Sequence, residues 1–217
     1  SGRFITIEGI EGAGKSTQAV RLAAALERAG REVVRTREPG GPGRLGSALR
    51  DLLKDPEVWR SLGTAEVYLY AAARAHHMEA LVLPAVRRGA VVVCDRFLDS
   101  TRAYQGYGRG RPLALIEALH AHPPVDRVPD RTLLLELPAA VALERSRARG
   151  RLDAPGYDGE PEAFFERVVA GFDAIARDEP DRVRRVDAAG APEAVHRRVV
   201  EALEDLFPGL APVEEGA

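Results

Sequence analysis

The chain has 217 residues, 45% of them apolar and 29% charged, with a formal net charge of −2. That length suits one substantial α/β core in a soluble globular protein and is too short for two ordinary domains with separate cores. The near-neutral balance excludes a nucleic-acid-coating protein, no apolar run approaches a membrane span, and the start carries no export signal. A single cysteine, Cys94, excludes an internal disulfide framework and fits a reducing, cytoplasmic setting, while Ser1-Gly2 reads as a remnant of tag cleavage.

Residues 4–8 form a short β-rich run that leads directly into Gly9-Ile10-Glu11-Gly12-Ala13-Gly14-Lys15-Ser16, a complete G-x-x-x-x-G-K-[ST] phosphate-binding loop. Its glycines allow successive backbone N–H groups to point inward at a phosphate. Lys15 brings a compact charge to the β- and γ-phosphates, and the Ser16 hydroxyl can ligate Mg²⁺. A Leu/Ala-rich helix over 16–29 follows, with its dipole favouring the anion. The chain has only two lysines, Lys15 and Lys54, and one of them falls in this loop.

Gly30 stops the first helix, residues 32–36 read as a second strand, and 37–43 are too rich in Gly and Pro for regular structure. A loop so placed belongs on the ligand edge of the sheet. A short helix is expected over 45–53 and a long one over 65–88, with Pro84 as a candidate kink. Residues 90–94 are a strand buried on both faces, closed by Asp95-Arg96, and 133–137 are the next. Between them come a helical turn over 97–104, a Gly-rich loop over 106–110 and a helix over about 112–121. A helix from Pro138 to 150, a lid at about 146–161, a helix over 162–177, an edge strand over 183–187 and a helix over 192–207 complete the pattern. Residues 211–217 read as a disordered polar tail. Alternating strands and helices imply an α/β fold: a five-stranded parallel sheet with helices on both faces and a short lid, in one domain over 1–210.

Asp95, at the end of a buried strand, is where a carboxylate can hold the Mg²⁺ water shell, although Asp also caps turns there. Arg96 can reach the same phosphates with a planar fork. Arg145, Arg147, Arg149 and Arg151 alternate through the lid, a way to surround one phosphate group or else a solvated basic helix end. Tyr70 and Arg74, and likewise Ser100 and Tyr104, are one helical turn apart, a spacing that by itself marks packing more often than ligand contact. The five histidines show no metal-ligand spacing, and no Asn-Lys-x-Asp guanine-reading signal occurs.

Taken together, the phosphate loop through Thr17, Thr36-Arg37-Glu38-Pro39-Gly40-Gly41, Tyr70 through Arg74, Asp95-Arg96-Phe97, Ser100 through Gly106 and Arg145 through Gly150 resemble bacterial thymidylate kinase, a P-loop NTPase-fold family. The resemblance covers residues 4 to about 206. It implies transfer of the ATP γ-phosphoryl group to dTMP, with Mg²⁺ held by Ser16 and Asp95. ATP is then bound by Gly9, Glu11, Gly12, Ala13, Gly14, Lys15, Ser16 and Thr17, with Arg145 stacking on adenine. Glu11 contacts the dTMP sugar, Tyr70 stacks on thymine, Arg74 bonds its O4, and Arg37 and Arg96 lie near the acceptor phosphate. Ser100 or Thr101, with Gln105, faces the base, and Tyr104 crowds the 2′ position. Lys15, Arg96 and the lid arginines 147, 149 and 151 are the expected catalytic cations. The resemblance also implies a homodimer, with no nucleic-acid or membrane partner. Arg102 departs from the neutral residue expected at its position. A kinase for another nucleotide or nucleoside and a nucleotide-binding switch or regulatory module are the alternatives, and acceptor-dependent ATP turnover separates the two classes.

Overall fold

The structure is a computed structural model that describes residues 2–148 and 160–213. Five parallel strands, β1 (Arg3–Glu8), β2 (Val33–Arg37), β3 (Val91–Asp95), β4 (Arg131–Glu136) and β5 (Val183–Asp187), form one sheet in the order β2-β3-β1-β4-β5. The period-2 alternation of strand side chains divides the core between the two faces. Ile5, Ile7, Val91 and Val93 point to one side, while Phe4, Val92 and Cys94 point to the other. Both sides are covered by helices, which is why these strands read as continuous apolar runs.

The helices are α1 (Lys15–Arg28), α2 (Gly43–Lys54), α3 (Pro56–Ser61), α4 (Ala65–His77), α5 (Leu83–Arg87), α6 (Leu98–Thr101), α7 (Leu113–Leu119), α8 (Ala139–Ala148), α9 (Glu162–Asp178) and α10 (Pro192–Glu201). The long helix expected over 65–88 is interrupted by a π-helical turn, Met78–Val82, which joins α4 to α5. Pro84 lacks the N–H that would bond back to residue 80, so the ladder changes register ahead of it. The short α3 was not anticipated. Its start is nonetheless legible, because Asp55 accepts from the N–H groups of Glu57 at 2.9 Å and Val58 at 3.3 Å, and Pro56 opens the first turn.

Three expectations need correction. The Gly-rich stretch expected as a loop over 106–110 is helical as far as Gly108: α6 continues as a π-helical segment, Arg102–Gly108, and only Arg109-Gly110 turn. A Cβ on Gly108 would stand 2.6 Å from the Phe164 ring, so this glycine permits close approach of α9 rather than a turn. Strand β4 begins two residues earlier than expected, since the Arg131 terminal nitrogens reach the Asp181 carbonyl and the Asp205 carboxylate, and the Thr132 hydroxyl meets that of Thr6 at 2.7 Å. The last helix ends at Glu201, not 207, and the chain beyond it is not without a core. Leu210 and Val213 are 7% and 8% exposed and join the cluster of Leu203 and Phe207. Residues 214–217 of the expected tail lie outside the described residues.

Because Leu210 closes that cluster, Leu210→Ala is expected to lower unfolding stability by about 2 kcal/mol in urea titration. No loss would return the segment to a passive tail.

Candidate active site

The carboxyl ends of β1, β3 and β2 lie side by side, and each delivers one part of the site. From β1 the chain enters the phosphate loop, and α1 begins at Lys15. Gly12 has φ 84°, and a Cβ there would come within 2.0 Å of the Ala142 carbonyl, so only glycine lets the loop lie against α8. Lys15 is 5% exposed, and its Nζ donates to the Ile10 carbonyl at 2.8 Å. Burial, reinforced by the neighbouring Arg96 charge, lowers its pKa to about 8.

From β3 come Asp95 and Arg96. The Ser16 hydroxyl donates to Asp95 Oδ2 at 2.5 Å, while Asp95 Oδ1 is buried without a hydrogen-bond partner among the described residues. A hydroxyl and a carboxylate oxygen left in want of a partner fit Mg²⁺, which needs only one or two protein oxygens when phosphates and water complete its shell. No group of three or more His, Cys, Asp or Glu side chains placed to hold a metal ion occurs among the described residues.

Arg96 has φ 71°, the only positive value for a non-glycine residue among the described residues. Such a conformation persists where its surroundings over-determine it. Here the Arg96 N–H donates to the Ile7 carbonyl at 3.0 Å, and the next N–H, that of Phe97, donates to the buried Glu8 carboxylate at 2.7 Å. Its guanidinium reaches Glu11 at 2.6 Å and the Ser100 hydroxyl at 3.2 Å, and it lies 5.0 Å from the centre of the Tyr104 ring. Glu8 also accepts from the Ser100 hydroxyl at 2.5 Å, and burial, with the nearby Asp99 charge, raises its pKa to about 8. Tyr104 OH accepts from the Glu11 N–H at 2.9 Å. Glu11, Arg96, Ser100 and Tyr104 therefore form one hydrogen-bonded wall.

From β2 come Arg37, Glu38 and Pro39. They line a cavity of about 300 Å³ together with Glu11, Lys15, Ser16, Thr17, Asp95 and Arg96 and with Tyr70, Arg74, Ser100, Thr101, Tyr104 and Gln105. All nine residues expected to contact the acceptor share this cavity. Thr101 Oγ1 is bonded to Arg74 at 3.1 Å and Ser100 to Glu8 and Arg96, so both hydroxyls hold neighbouring side chains.

Other expected residues stand elsewhere. Gly9 and Ala13 belong to the loop but not to the cavity wall. Arg145 donates to the Ala188 carbonyl at 3.1 Å and so ties α8 to the loop after β5. Arg147 is exposed on α8 and off the cavity wall, where buried Ser146 takes a place instead. Arg149 and Arg151 lie outside the described residues. The unexpected Arg102 points away from the cavity and pairs with Asp99 at 3.0 Å, Glu117 at 2.7 Å and Glu179 at 2.9 Å, which accounts for a charge at that position.

Sequence reasoning missed Arg50 and Lys54, which line the cavity one turn apart on α2. Their spacing of four behind the Gly/Pro-rich loop was the available signal. Arg50 donates to the Pro39 carbonyl at 2.5 Å, and burial together with the Arg37 charge lowers its pKa. A cation destabilised by its neighbours in this way favours a bound anion.

Lys15 gives a test by linkage. In the free protein it loses its proton as pH rises through about 8, whereas a bound phosphate restores the pKa toward its ordinary 10.5. ATP binding is therefore expected to take up a substantial fraction of a proton near pH 8.5 and little near pH 7, read by calorimetry in buffers of differing ionisation enthalpy. Equal uptake at both values would show that Lys15 does not meet the nucleotide.

Comparison with known proteins agrees with this geometry. Residues 7–199 match the family model described as thymidylate kinase. The chain is 51% identical to the thymidylate kinase of Gluconobacter oxydans over 94% of this chain and 95% of that protein. It is 47% identical to that of Rhizorhabdus wittichii, over 95% and 99% of the two chains. The crystal structure of thymidylate kinase from Ehrlichia chaffeensis superposes with a TM-score of 0.76 at 32% identity, covering 94% of this chain and 99% of that one. The chain thus belongs to the thymidylate kinase family, whose members are phosphotransferases.

Proposed function

We propose that this chain transfers the γ-phosphoryl group of ATP to dTMP, giving dTDP and ADP for dTTP synthesis. The observation that carries this reading is the continuity of one cavity from the phosphate loop, with Lys15 and Asp95, to the Tyr70–Arg74 end, with Arg37, Arg50 and Arg96 along it. A donor triphosphate at one end and an acceptor monophosphate at the other would meet across Arg96.

The acceptor phosphate is already an anionic nucleophile, so no general base is needed. The protein's work is placement and charge. Lys15 and Arg96 offset the repulsion between two anions and stabilise the charge spread over the transferred group in the transition state. Ser16 and Asp95 would hold Mg²⁺, which would supply positive charge to the triphosphate. Arg37 and Arg50 hold the acceptor phosphate, Tyr70 stacks on the base, Arg74 donates to its O4, and Tyr104 crowds the 2′ position. Arg145 stacks on adenine, and the lid arginines 147, 149 and 151 add positive charge for the transferred group, with lid closure excluding water.

The reading extends to a single-domain, cytoplasmic homodimer. Exposed Leu45, Leu52 and Tyr68 on the adjoining α2 and α4 support an interface there. Among the described residues no helix is long and apolar enough to cross a membrane.

The deciding assay is ADP release from Mg-ATP with dTMP, dUMP, UMP, dCMP, AMP, thymidine or no acceptor. Strong stimulation by dTMP, weaker by dUMP and absent without acceptor, is expected; acceptor-independent turnover would overturn the proposal. Lys15→Met and Arg96→Met should each lower kcat by about a hundredfold or more while the melting temperature moves little. Equal loss of folding and activity would remove their catalytic role. Arg50→Met should raise KM for dTMP about tenfold, the value of one charge-assisted hydrogen bond, and an unchanged KM would move the phosphate elsewhere.

A further inference from the structure

Arg74 is 1% exposed, and a guanidinium so deeply buried must have its donors accounted for. Nε donates to Glu38 Oε2 at 2.8 Å, and Nη2 pairs with the same oxygen at 2.8 Å and reaches Thr101 Oγ1 at 3.1 Å. Nη1 lies 2.6 Å from His120 Nε2, at the C-terminal end of α7. Arginine has donors only, so His120 Nε2 must be the acceptor. The ring proton is then on Nδ1, which donates to the Ile116 carbonyl at 2.6 Å. Both ring nitrogens are thereby fixed in the neutral tautomer, and burial with the Arg74 charge lowers the His120 pKa to about 4, which keeps it neutral.

Glu38 is itself held. His77 Nδ1 lies 3.0 Å from its other oxygen, and His77 Nε2 is 2.8 Å from the Thr36 hydroxyl. The guanidinium is gripped along one edge by Glu38 and Thr101, with Phe97 beneath it at 4.9 Å, but that edge alone leaves the opposite corner able to pivot. His120 closes the corner. Of the two hydrogens on Nη1 one is taken by the imidazole, and Arg74 lines the cavity, so the second is left for a ligand there.

We propose that His120 is the positioning residue for base recognition: by accepting from Arg74 Nη1 it aims the remaining Nη1 hydrogen at an acceptor oxygen on the nucleotide base. A base with a carbonyl at this place is bound, and one with an amino group meets donor against donor. This inference rests on the reading that the dTMP base lies against Arg74.

The test compares dTMP with two analogues, 5-methyl-dCMP and the 5-methylpyrimidin-2-one deoxynucleotide, which carries hydrogen in place of O4. Wild type should prefer dTMP by about tenfold or more in kcat/KM. In His120→Leu the dTMP KM should rise about tenfold with kcat within about twofold, and the preference over the O4-lacking analogue should fall close to unity. The ATP KM should stay unchanged. His120→Gln, whose amide oxygen can stand where Nε2 stood, should restore the preference. Retention of the wild-type preference in His120→Leu overturns the inference and leaves the base reading intact. Parallel loss of dTMP affinity, ATP affinity and melting temperature in both variants would reduce His120 to a packing role and also overturn it. If wild type does not distinguish dTMP from the O4-lacking analogue, the base does not lie against Arg74 and both readings fall.

Discussion

Two cations held in one largely buried cavity, Lys15 and Arg96, are the constraint on which the rest of the structure depends. Burying an uncompensated charge costs several kcal/mol, and burying two together costs more. The protein offsets this with carboxylates set beside the cations, Glu11 and Asp95 standing in the cavity wall itself. Glu11 takes the Arg96 guanidinium, Asp95 takes the Ser16 hydroxyl, and Glu8 anchors the backbone that follows Arg96. The compensation is incomplete at Lys15, whose pKa remains depressed to about 8, and this residual cost is what an incoming phosphate relieves.

The sheet makes that arrangement possible. In the order β2-β3-β1-β4-β5 the carboxyl ends of β1 and β3 are neighbours, so the phosphate loop and Asp95-Arg96 face each other although some eighty residues separate them in the chain. The pairing of Ile7 with Asp95 sets their relative height, and the Arg96 N–H continues the ladder to the Ile7 carbonyl at 3.0 Å. The unusual backbone of Arg96 is thus a consequence of leaving the sheet while aiming a guanidinium back over the loop.

At the far end of the cavity a second buried network follows the same logic with different chemistry. Arg74 and Glu38 are both nearly inaccessible, so their mutual attraction is little screened, and Thr101, His77 and His120 take up most of their remaining hydrogen-bonding positions, leaving one Nη1 hydrogen. The result is a rigid polar floor rather than a flexible cation, which suits a wall that must distinguish one ring substituent from another.

The phosphate loop, the five strands and most helices were legible in the sequence, because each depends on local periodicity, on glycine spacing or on an apolar run long enough to need both faces covered. The strand ends, the π-helical segments and the role of the chain after Glu201 were not, because they depend on partners distant in sequence. Thr132 continues β4 since Thr6 meets it, Gly108 sits in a helix since Phe164 presses against it, and Val213 is buried since Leu203 and Phe207 leave room for it. The site divides in the same way. Lys15, Ser16, Asp95 and the expected acceptor-contacting residues follow from motifs, whereas Arg50, Lys54 and His120 belong to no recognisable pattern by themselves. Their roles arise only where α2 lines the cavity and His120, at the end of α7, packs against Arg74, and it is the low dielectric of that interior, absent from the chain as a string, that gives a buried arginine or a neutral histidine its chemical meaning.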